Sequence, residues 1–110
     1  MEERRGEIRV ADQVVAVIAG TAAGEVSGIS VHSGGLYQDL AKRISGGTKG
    51  ITVSLVDGRA SIEIRVSVKY GLPIHHVCRQ LQEKVKEIVE SLTGLCVEAV
   101  HVRVDAIDLT

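Results

Sequence analysis

The residues in this chain that could do chemistry are few, and their spacing argues against most reactions. Four histidines (His32, His75, His76 and His101) and two cysteines (Cys78 and Cys96) are the natural metal ligands. His75 and His76 are adjacent in a segment with helical periodicity, so they point about 100° apart and do not share an ion easily. A Cys78–Cys96–His101 set lacks a fourth ligand and the spacing of a structural zinc site. Gly46-Gly47-Thr48-Lys49-Gly50 looks at first like a phosphate loop. That motif needs Gly-x-x-x-x-Gly-Lys-Ser/Thr between a strand and a helix, so that backbone amides meet the phosphate. Here Thr precedes Lys and a strand pattern follows. No Gly-x-Ser-x-Gly elbow is present, and neither cysteine has a His–acid relay. Asp57 belongs to a turn and Asp12 to a helix start. The reading is a non-enzymatic chain, with no catalytic, cofactor-binding or metal residues assigned.

Composition narrows the partners. Thirteen Lys and Arg stand against fourteen Asp and Glu, a net charge of −1, and neither half of the chain is a basic arm or an acidic tail. Nucleic acid is therefore not expected as a partner. The alternative reading is a KH-like nucleic-acid-binding module using the Gly47–Gly50 loop, because KH modules grip the nucleic-acid backbone with a Gly-x-x-Gly run between two helices. In this chain that run joins a helix to a strand. With no Phe or Trp, and only Tyr37 and Tyr70 aromatic, there are few rings to stack on bases. The two cysteines read as reduced, buried side chains of a cytoplasmic protein. Gln13 to Gly24, the least charged stretch, is shorter than the roughly 20 residues a spanning helix needs. Acidic residues interrupt any leader at the start, so neither membrane insertion nor export is expected.

The elements that must position these side chains are more legible. At 110 residues the chain is read as one domain, 1–110, with residues 1–6 a frayed start. Glu7 to Ala11 alternates as a short strand. Asp12 is placed to cap a helix from Gln13 to about Val26, with Val15, Ile18, Ala19, Ala22 and Val26 on one stripe. Gly20, Ala22, Ala23 and Gly24 make that helix thin, able to lie close to a sheet or to another subunit. Ile29 to His32 reads as a strand, and Leu36 to Ser45 as a short helix. Asp57-Gly58 is a favoured type I′ turn pair, which aligns Ile51 with Ile64, Thr52 with Glu63, Val53 with Ile62, Ser54 with Ser61 and Leu55 with Ala60. The alternation continues from Ala60 to Tyr70.

A helix from Ile74 to Thr93 follows, with an apolar stripe of Ile74, Val77, Cys78, Leu81, Val85, Ile88 and Leu92, and Gly94 as its stop. The last strand, about Val97 to Ile107, turns Val100, Val102 and Val104 inward and His101, Arg103 and Asp105 outward. The expected fold is α+β: a two-layer sandwich with a mixed or antiparallel sheet and helices on one face, in the order β-α-β-α(short)-β-β-α-β. The outer strand face, Glu63, Arg65, Lys69, His101 and Arg103, is the candidate interaction face.

Taken in order, Ile18 to Ile29, Lys49 to Val53, Ile64 to Gly71, Val85 to Leu95 and Val97 to Val104 resemble the bacterial alkaline-shock-protein (envelope stress response) family, with its YloU-like members. The resemblance implies a non-enzymatic cytoplasmic scaffolding protein of cell-envelope stress response or homeostasis. It also implies self-association, and retention at the inner face of the membrane through a small integral membrane anchor protein. The spacing across Leu36 to Ser45 departs from that pattern.

Overall fold

The computed structural model describes residues 6–31 and 50–109. Within them the order is α1 (Asp12–Ala23), β1 (Ile29–Val31), β2 (Ile51–Val56), β3 (Arg59–Lys69), α2 (Ile74–Thr93) and β4 (Cys96–Asp108). The expected helix over 36–45, His32 and Gly47 to Lys49 of the glycine loop lie outside the described residues.

β3 organises the sheet. Its eleven residues alternate without a break, and Ala60, Ile62, Ile64, Val66 and Val68 are all buried on one face. β2 pairs antiparallel with its first half and β1 antiparallel with Val66 to Val68, while β4 runs parallel to it over its whole length. Arg65 N–H donates to Gly50 O and Lys69 N–H to Gly28 O, whereas Tyr70 N–H donates to Asp108 O. Alternate residues of a strand turn their backbone groups to opposite edges. Residues 65 and 69 share a parity that residue 70 does not. β2 and β1 therefore lie end to end along one edge of β3, and β4 takes the other. The sheet is mixed and both helices cover one face.

The hairpin follows the expected register at every pair and extends it to Val56 and Arg59. Asp57 and Gly58 carry the positive φ angles, 51° and 76°, that a type I′ turn requires. α1 packs on β2 and on α2, and α2 packs on β4. The thin face of α1 serves the sheet, since a Cβ at Gly20 would stand 3.1 Å from Ile51 Cδ1. Val15, Ala16, Ala19, Ala22 and Ala23 are buried there, and Leu81, Val85 and Val89 of α2 complete the core.

Several expectations need correction. Glu7 to Ala11 is not a strand: both edges of β3 are already occupied, Glu7 and Arg9 pair with each other, and Ile8 is 92% exposed. Asp12 is the first residue of α1 rather than its cap, which is Ala11; its carboxylate still sits in the first turn, where the helix dipole favours it. α1 ends at Ala23 and tightens into i→i+3 bonds that carry the chain to a buried Val26. Tyr70 leaves the β3 alternation, because the strand ends at Lys69, and its ring is 72% exposed. In α2, Ile74 and Leu92 lie at the two ends of the helix and are exposed, while Val89 is buried among the stripe. Cys96, at the first position of β4, is exposed rather than buried.

Candidate interaction face

The sheet face away from the helices carries Arg59, Ser61, Glu63, Arg65, Ser67 and Lys69 on β3, the positions between the buried ones. Parallel register sets Cys96, Ala99, His101, Arg103, Ala106 and Asp108 beside them. His101 thus lies next to Glu63, Arg103 next to Arg65, and Asp108 next to Lys69. The structure brings all five expected face residues, Glu63, Arg65, Lys69, His101 and Arg103, onto two neighbouring strands of one exposed surface.

Two guanidinium groups directly across from each other repel, and sheets disfavour such pairs. The chain offsets this with a β-bulge. Val66 pairs with Val104 and Ser67 with Ala106, which makes Asp105 the extra residue of β4. Its carboxylate accepts from Arg65 Nε at 2.7 Å and forms an ion pair with Arg103 Nε at 2.9 Å, and its side chain is only 14% exposed. Asp105 was expected to be one more outward residue; the bulge instead folds it between the two arginines. A second bulge repeats the device: Ala60 pairs with Val97 and Ser61 with Ala99, and the extra residue, Glu98, reaches Arg59 at 3.6 Å. The sequence signal was available. Inward apolar residues fall at Val97 and Val100, then at Val104 and Ile107, three apart where an unbroken strand would put them two apart.

The outer edge of β4 is shaped by α2. Gln82 Nε2 donates to Val100 O at 2.9 Å, and Val97 N–H donates to the Glu90 carboxylate at 2.9 Å. Lys86 Nζ holds both Glu90 oxygens at 3.1 Å. The Val97 bond, with Lys86 behind it, draws the Glu90 carboxyl below its ordinary range. Sequence reasoning placed Glu90 on the wet side of the helix and did not foresee this contact.

The other candidates are dispersed. His75 lies 3.4 Å from Arg79 Nη2, and His75 and His76 are exposed at the start of α2. Neither described cysteine is in a disulfide; burial pushes the Cys78 thiol above its ordinary range. Among the described residues no group of three or more His, Cys, Asp or Glu gathers as a metal set, and no polar or charged side chain is buried. Of the glycine loop only Gly50 is described, in a left-handed conformation with φ 86°.

A two-layer α+β module whose second sheet face is charge-laddered and, among the described residues, exposed is the class that this geometry defines. The chain belongs to the alkaline-shock-protein 23 family, described as having a cell envelope-related function, whose profile matches residues 1–109. Among its relatives are two uncharacterised Bacillus subtilis (strain 168) proteins. YqhY is 28% identical over 101 residues, covering 90% of this chain and 75% of that protein, and YloU is 28% identical over 116 aligned positions, covering 100% and 95%. The uncharacterised protein Spy1614 of Streptococcus pyogenes serotype M6 is 31% identical over 106 residues, covering 93% and 88%. Among solved structures, the zinc form of a MamM CTD variant superposes with a TM-score of 0.54 at 14% identity, over 88% of this chain and 87% of that one. That likeness is one of fold.

Proposed function

We propose that this chain is a non-enzymatic scaffolding module of cell-envelope stress response or homeostasis, acting through protein contacts. It associates with itself and binds a small integral membrane protein that holds it at the inner face of the membrane. The observation that carries this reading is the sheet face left exposed among the described residues. Eight charged residues, four of each sign (Arg59, Arg65, Lys69 and Arg103; Glu63, Glu98, Asp105 and Asp108), are laid out on β3 and β4 and set by bulges into fixed neighbours. Such a mixed pattern selects a complementary partner by register rather than attracting any polyanion. Family membership supplies the cell-envelope context. Among the described residues no helix is long and apolar enough to cross a membrane, so a separate anchor fits the reading.

Two measurements test it. Sedimentation velocity across a wide concentration range should show reversible association. In producing cells the chain should fractionate with membranes, and the double charge reversal Glu63→Lys with Lys69→Glu should release it. A monomer at every concentration, found wholly in the soluble fraction, would end the proposal.

A further inference from the structure

Most charges on the exposed sheet face are answered within the chain, and the exceptions sit side by side. Arg59 meets Glu98 at 3.6 Å, and Arg65 and Arg103 share the Asp105 carboxylate at 2.7 and 2.9 Å. Lys69 has Asp108 beside it in the parallel register. Glu63 differs. Its neighbours are Thr52 on β2 and His101 on β4, both exposed, and among the described residues no hydrogen bond or ion pair holds its side chain. One step along β3, two guanidinium groups have a single carboxylate between them, which leaves one positive charge in surplus among the described residues. An open anion and an open cation therefore lie two residues apart, about 7 Å at the rise of a strand.

The rows on either side of them are low. Ser61 pairs with Ala99 and Ser67 with Ala106, so small side chains flank the row of Glu63 and His101 and the row of Arg65 and Arg103. The long side chains between form a ridge with a trough at each side. An acid in the middle of that ridge repels a polyanion, so neither nucleic acid nor anionic headgroups suit it. A second copy suits it no better. Two such sheets packed face to face with aligned strands can be related by a two-fold axis in two ways. With strands antiparallel and Glu63 over Arg65 of the second copy, Arg59 lies over Lys69. With strands parallel, β3 covers β4 and Arg65 lies over Arg103. Each arrangement sets cation over cation, which costs affinity.

We infer that this spot is the seat of partner binding, and that it takes a segment of another protein presenting a Lys or Arg to Glu63 and an Asp or Glu to the Arg65–Arg103 pair. This rests on the partner contact proposed above and names its centre and its chemistry. A helix offers the pattern directly, because side chains four residues apart lie on one face and rise about 6 Å, close to the spacing on β3. Each of the two contacts is a charge-assisted pair, the stronger class of hydrogen bond. Turning the segment round would set acid on acid and base on base, so the same two contacts fix its direction.

Photo-crosslinking in producing cells tests this, with a benzophenone side chain in place of the exposed Thr52 beside Glu63. The captured peptide should come from a membrane protein and carry a basic residue three or four positions from an acidic one. Glu63→Gln and Arg103→Gln should each lower the cross-link yield about tenfold, the loss of one charge-assisted contact. Arg59→Gln, on the same face but answered by Glu98, should leave the yield within about twofold. Glu63→Lys should abolish the cross-link, and reversing the partner's basic residue to an acid should restore it. A captured segment of one charge sign, capture of a second copy, an unchanged yield in Glu63→Gln, or a membrane-bound chain with no cross-link would overturn the spot while leaving the scaffolding reading standing. Capture of lipid or nucleic acid, or a wholly soluble chain with no cross-link, would overturn both.

Discussion

Asp105→Asn is the sharpest perturbation of the candidate face. The substitution keeps the shape of the side chain and removes the charge that Arg65 and Arg103 share. A charge-assisted hydrogen bond at 2.7 Å and an ion pair at 2.9 Å are weakened, and two guanidinium groups in register lose the anion between them. Fully buried bonds of this kind contribute about 1.5–3 kcal/mol each. The arginine side chains are 47% and 65% exposed, so solvent screening reduces each to about 0.5–1 kcal/mol. Unmasked repulsion across the strands adds up to about 1 kcal/mol, and the amide oxygen of Asn recovers part of one bond. The expected loss is about 1.5 kcal/mol, read as a urea midpoint shift or a fall in Tm of roughly 6–12 °C. The double variant with Arg103→Gln should recover about 0.5–1 kcal/mol relative to additivity, because one of the two repelling charges is gone. If Asp105→Asn unfolds within 0.3 kcal/mol of wild type, or if Arg103→Gln simply adds to it, the bulge does not neutralise the pair and the reasoning fails.

Two further substitutions probe the scaffold beneath the face. Gly28→Ala forces a side chain onto a backbone at φ 87° and drives its Cβ into Leu72 Cδ1. Strain of that kind costs about 1–2 kcal/mol, with a steric addition. In thermal melts Gly28→Ala with Leu72→Ala should relieve the steric part relative to additivity and leave the strain; strict additivity of the two would show that Leu72 does not close over Gly28. Glu90 links pH to the α2–β4 seam. Its folded pKa is depressed, so its contribution is present above the ordinary glutamate value of the unfolded chain and is lost as pH falls through the lower folded value. Denaturant titrations from pH 6 to pH 3 should show Glu90→Gln with a shallower acid loss than wild type, and parallel pH profiles would contradict the contact.

The hairpin was legible because two independent signals agree there. Asp57-Gly58 fixes a two-residue turn, and the period-two alternation on both sides permits one register. β3 and the core of α2 were legible for the same reason of unbroken periodicity. What escaped was whatever depends on a neighbour in space. Parallel pairing of β4, and the end-to-end sharing of one β3 edge by β1 and β2, leave no mark on local pattern. Periodicity also says nothing about where the partner surface stops, so Ile74 and Leu92 were assigned to the buried stripe although they lie at the exposed helix ends. Glu7 to Ala11 alternates over only five residues, too short a signal to fix a strand when both edges of β3 are already taken. Within the face, the residue types on the outer strand positions were readable. The role of Asp105 was missed, because the reading assumed an unbroken parity and passed over the three-residue spacing from Val104 to Ile107 that marks the bulge.

The two bulges and the two α2 contacts act on one strand, and their combined placement explains why β4 is at once long and orderly. An exposed thirteen-residue edge is ordinarily an aggregation hazard. Here Gln82 and Glu90 close its first half, and Glu98 interrupts the pleat in the same stretch. The second bulge, at Asp105, ends the regular run just beyond Val104. Among the described residues, what remains open between Val100 and Asp105 is short enough to limit indiscriminate pairing. The charged side chains of β3 and β4 project on the opposite side from the helices. Edge and face can then be altered by separate substitutions.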